Sequence, residues 1–77
     1  MSKYLEELGT GDSFSIENDI YILTSDFKNN GDRMAINIRT GLIRWLKEAQ
    51  IVEIIDLYLT SDGNFTPLKI REKNDTY

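Results

Sequence analysis

Neither cysteine nor histidine occurs in the 77 residues. The missing cysteine excludes disulfides and thiol nucleophiles, and the missing histidine excludes an imidazole base. Together they exclude zinc sites of the Cys/His type. No apolar run approaches the roughly 18 residues that a membrane-spanning helix needs. The longest apolar-rich stretch, residues 51–59, is interrupted by Glu53 and Asp56. The start, Met1-Ser2-Lys3-Tyr4-Leu5-Glu6-Glu7, has no apolar signal core, so no secretion signal is read and a cytoplasmic location is expected. Cations are outnumbered by acids, nine to thirteen, for a net charge of −4. General binding to duplex nucleic acid wants the opposite balance.

What is present is the composition of a soluble globular chain, 40% hydrophobic and 29% charged. The length predicts one small domain over residues 1–77. A domain of this size buries only about 60% of its unfolded surface, so stability must come from a compact core or from association.

The charge is segmented. Residues 1–32 carry a net −5, and residues 48–68 carry Glu48, Glu53, Asp56 and Asp62 with no cation. Between them, residues 33–47 hold Arg33, Arg39, Arg44 and Lys47 with no acid. A basic hairpin sits inside an acidic chain.

Residues 2–8 predict a short helical turn, with Ser2 as N-cap, Gly9 as stop, and Leu5 and Leu8 on one face. From Ser13 the pattern alternates, with Phe14 and Ile16 against Ser13, Ser15 and Glu17, as in a half-buried strand. Asn18-Asp19 reads as a turn into a second strand over residues 20–27. There Tyr21 and Leu23 oppose Ile20 and Ile22. After the turn Lys28-Asn29-Asn30-Gly31-Asp32, a third strand places Met34, Ile36 and Ile38 on one face. A three-residue loop, Arg39-Thr40-Gly41, then pairs Ile38 with Leu42 and Ile36 with Arg44. Residues 51–59 are the most β-prone segment. Ser61-Asp62-Gly63-Asn64 is a turn. Residues 65–70 predict a further edge strand, since Pro67 cannot donate to a central ladder. Residues 71–77 predict a frayed tail. About five short strands at this turn spacing specify an all-β fold, a small barrel or sandwich.

The motif order carries a resemblance. Gly11-Asp12-Ser13-Phe14-Ser15-Ile16 opens a strand and Asn18-Asp19-Ile20-Tyr21 starts the next. Ala35-Ile36-Asn37-Ile38-Arg39-Thr40-Gly41 forms a turn, a Trp-containing strand follows, and Ile51-Val52-Glu53-Ile54 closes the set. Over residues 9–56 this resembles uncharacterised small SH3-like β-barrel proteins of tailed bacteriophages. The resemblance implies an SH3-like barrel and a phage-type accessory protein that binds and modulates a host protein in the bacterial cytoplasm.

The carboxylates Asp12, Asp19, Asp26 and Asp32 fall in or beside turns, where Asp caps backbone N–H groups. No enzyme activity, cofactor or metal is therefore expected. The candidate binding residues are Arg33, Arg39, Arg44, Trp45 and Lys47 of the basic hairpin, together with Tyr58. Arg with an aromatic suits a nucleotide, single-stranded nucleic acid or an acidic partner. In the plainer reading Trp45 fills the core and the cations balance neighbouring acids. Tyr58, between Leu57 and Leu59, marks an apolar edge suited to pairing with another chain, for which a symmetric homodimer is the commonest outcome.

Overall fold

The computed structural model describes residues 1–68, and the expected frayed tail lies outside the described residues. Among the described residues the fold is all β apart from one 3-10 turn, as the turn spacing predicts. Six strands form one antiparallel sheet: β1 (Ser2–Tyr4), β2 (Ser13–Ile16), β3 (Asp19–Phe27), β4 (Arg33–Asn37), β5 (Ile43–Leu46) and β6 (Ile51–Ile54). Their order is β1-β6-β2-β3-β4-β5. The strands β7 (Tyr58–Ser61) and β8 (Asn64–Pro67) form a separate two-stranded sheet.

The barrel is not closed, because β1 and β5 are edges that do not pair with each other. The sheet nevertheless wraps around one core. Leu46 of β5 and Val52 of β6 belong to the same buried cluster, with Phe14, Ile16, Tyr21, Leu23 and Ala35 between them. Leu5 and Leu8 complete the cluster from the 3-10 turn Leu5–Glu7 and the residue after it. The expected helical turn is thus shorter than residues 2–8. Ser2–Tyr4 is extended because it pairs with β6, with Lys3 opposite Val52. The turn begins at Tyr4, whose N–H donates to the Glu7 carboxylate at 2.9 Å. The Ser2 hydroxyl and the Met1 ammonium both hold Glu53, and they lower its carboxyl pKa in that order of strength.

Two turns differ from expectation. The loop between β2 and β3 is Glu17-Asn18, both at positive φ (50° and 74°), and Ile16 pairs with Asp19. Such two-residue loops match the twist of the flanking strands. The loop between β4 and β5 has four residues rather than three. The Asn37 side-chain oxygen accepts from the N–H groups of Arg39 (2.9 Å) and Thr40 (3.2 Å), so the turn starts one residue earlier. Gly41, at φ 78°, closes it by donating to the Asn37 carbonyl. Ile36 therefore pairs with Ile43 and Ala35 with Arg44. The long apolar run also divides. β6 stops at Ile54, and residues 55–57 lead into β7. Among the described residues no helix is long and apolar enough to cross a membrane.

Candidate functional site

Paired residues of an antiparallel sheet project from the same face. The register therefore sorts β3, β4 and β5 into two surfaces. On the inner surface lie Tyr21, Leu23, Ala35 and Leu46, all buried. On the outer surface a row runs Ile22, Ile36, Ile43 across three strands, and Met34 stands beside Trp45. Ile43 is 55% exposed and Ile36 and Trp45 are each 36% exposed. The face carrying Met34 and Ile36, the more apolar side of β4, is the outer one. The core takes Ala35 and Asn37 instead. Trp45 accordingly does not fill the core. Its ring carries the Lys28 ammonium 4.6 Å from the centroid, a contact worth about 0.5–1 kcal/mol when exposed.

The basic residues do not gather around this tryptophan. Arg44 and Trp45 are neighbours in β5 and point to opposite faces. Arg44 turns to the inner side, where its Nη1 donates to the Tyr21 hydroxyl at 3.1 Å. That contact sits in an open cavity of about 360 Å³ lined by Asp19, Tyr21, Asn37, Thr40 and Arg44 among others. The lining thus holds one acid, Asp19, and one cation, Arg44, and has no net charge to select an anion. Arg33 lies at the rim of the core. Its Nη2 donates to the Thr24 carbonyl at 2.9 Å, and its Nε is buried with no hydrogen bond. Arg39 sits in the β4–β5 loop, and Lys47 reaches Asp32 at 3.8 Å from a largely exposed position. Tyr58 is on β7, outside the main sheet. The expected grip of arginine and tryptophan on one ligand is therefore not assembled on one face.

Two carboxylates serve the backbone: Asp12 accepts from the Gly9 N–H at 2.7 Å and Glu7 from the Tyr4 N–H at 2.9 Å. Asp32 closes its loop through its main-chain carbonyl, which accepts the Lys28 N–H at 2.8 Å, while its carboxylate meets Lys47. Among the described residues no cluster of three acids could hold a metal ion.

The residues that the sequence reading passed over are Ile22, Met34, Ile36 and Ile43. The available signal was parity. Tyr21 and Leu23 are the bulkiest pair on β3, and the strand partners fixed by Asn37 put Ile22 and Ile36 on the opposite side. Comparison with known families, with characterised proteins and with solved structures gives no match.

Proposed function

We propose that this chain is a small non-enzymatic accessory module that acts by binding another protein through the outer face of β3, β4 and β5. One observation carries the reading. Ile22, Ile36 and Ile43 form a cross-strand apolar row with Met34 and Trp45 beside it, and the row faces outward. Contiguous exposed apolar surface on a small domain marks an interaction site, and a partly exposed tryptophan is a common anchor. The cations at the margin, Lys28 over the ring and Lys47 beyond Leu46, favour a partner with acidic groups around an apolar centre.

The phage-type character, the host identity of the partner and the cytoplasmic setting rest on the turn-and-strand pattern of residues 9–56. A non-catalytic role is supported by the use of Glu7, Asp12 and Glu53 as partners of backbone, hydroxyl and ammonium groups.

The test is capture from bacterial lysate on the tagged chain, with and without nuclease, beside the variant Ile36→Lys/Ile43→Lys. Ile36 and Ile43 are cross-strand partners, 36% and 55% exposed, so the comparison is made once the circular dichroism spectrum of the variant matches that of the wild type, and each single Lys variant is run beside it. The wild type is expected to retain one stoichiometric, nuclease-resistant protein that the variant loses. Retention of nucleic acid alone, or equal retention of the protein by the variant, would overturn the reading.

A further inference from the structure

The sheet ends at β5 with one side unused. The Asn37 N–H donates to the Leu42 carbonyl at 2.9 Å, which makes that pair a hydrogen-bonded one. Such pairs alternate along an antiparallel ladder. The next two are Ala35 with Arg44 and Arg33 with Leu46. The backbone N–H and C=O groups of Ile43 and Trp45 consequently point away from β4. Among the described residues no strand pairs with them.

The hairpin β7–β8 offers a second open edge. Its two-residue loop, Asp62-Gly63, joins Ser61 to Asn64, and the Leu68 N–H donates to the Leu57 carbonyl at 2.8 Å. By the same alternation, the backbone groups of Tyr58 and Thr60 face outward on β7. On β8 the outward residues are Phe65 and Pro67, and Pro67 has no N–H, so that edge is blunted. Every residue of both strands is exposed, Phe65 at 73%. An isolated two-stranded hairpin is marginal in water.

We infer that the chain forms a two-fold dimer in which β7 of each copy adds antiparallel to β5 of the other. Two observations select this occupant. The charges are complementary, since residues 33–47 hold only cations and residues 48–68 only acids. A β5-to-β5 dimer would instead set the cationic segment against itself. The backbone patterns also mesh in one register. Placing Trp45 opposite Tyr58 and Ile43 opposite Thr60 joins the outward groups of both strands. It sets Lys47 opposite Asp56 and leaves Arg44 facing Leu59. Aromatic and opposite-charge cross-strand pairs are the ones that stabilise a sheet. Reciprocal addition satisfies both edges in each copy, sets Tyr58 and Thr60 beside Trp45 and Ile43 on β5, and leaves Ile22, Met34 and Ile36 of the outer face uncovered.

The experiment is sedimentation equilibrium of the full chain over a range of concentration and salt. The wild type is expected to be a dimer that weakens as salt rises. Thr60→Pro removes an outward N–H without touching the β7–β8 ladder, and is expected to be monomeric with an unchanged circular dichroism spectrum. Lys47→Glu and Asp56→Lys are each expected to weaken the dimer about ten-fold. An equimolar mixture of these two should recover it, because the mixed dimer pairs opposite charges at both contacts. A monomeric wild type at every concentration, a Thr60→Pro chain that dimerises as tightly as the wild type, or a mixture no tighter than its components would each overturn the inference.

Discussion

Glu53 sits on the solvent side of β6 with the Ser2 hydroxyl and the Met1 ammonium on its carboxylate. The hydroxyl first and then the ammonium hold its pKa below the ordinary 4.5. A carboxyl whose pKa is depressed on folding stabilises the native state fully above its unfolded value. That stability is lost as pH falls through the folded value. The contact ties β1 to β6, so the loss is felt at the N-terminal edge. Urea midpoints of the wild type and Glu53→Gln should therefore differ at neutral pH and converge below the ordinary Glu range. A difference that stayed constant down to strongly acid pH would mean that the charge is not what Glu53 contributes. Nothing in the sequence announces this pairing, because Met1, Ser2 and Glu53 meet only through the β1–β6 register. The turn carboxylates are different. Asp12 bonds a neighbour three residues away, and local bonds of that kind are legible from spacing.

At the scale of elements, the positions of most strands followed from alternation and turn residues, while pairing and facing did not. β2, β3, β4 and β5 lie close to where the pattern puts them. The β4–β5 register is displaced by one residue, and a one-residue slip exchanges the two faces. The cause is a single side chain, Asn37, which is 8% exposed and gives its oxygen to two N–H groups. β-propensity is blind to such a bond. Asn37→Ala should cost about 1–2 kcal/mol, since two turn donors lose their acceptor. Asn37→Asp, which keeps the acceptor, should retain most of that stability. Equal losses in urea denaturation would show that the side-chain oxygen does not set the turn. The apolar run over residues 51–59 was misleading for a related reason. Ile55 still bonds Ser13 through its backbone, but β2 begins at Ser13, so a strand beyond Ile55 has no neighbour on that side. Where a strand ends depends on its partner's start, which its own composition does not record.

Across the whole molecule, the all-β class was legible because it depends only on the number and spacing of turns. The candidate site was not, because it depends on which side of a nearly symmetric apolar pattern faces in. Phe14, Tyr21 and Leu23 occupy the inner side, and β4 meets them there with Ala35 and Asn37. The larger Met34 and Ile36 are thereby turned outward. The distribution of burial also divides the chain unequally. Among the described residues, every buried core residue lies between Leu5 and Val52, with Ile54 packed against them. The hairpin β7–β8 contributes none. A chain ending after Ile55 keeps the Ser13–Ile55 backbone contact and the entire core. It should unfold cooperatively with a loss of no more than about 1 kcal/mol per folded chain, measured by urea denaturation at a concentration where the full-length chain is monomeric. The same shortened chain lacks β7 and should stay monomeric where the full-length chain dimerises. A large fall in its monomer stability would instead place the hairpin in the folding unit of the sheet. In that case the exposed aromatics of β7 and β8 would be working within one chain rather than between two.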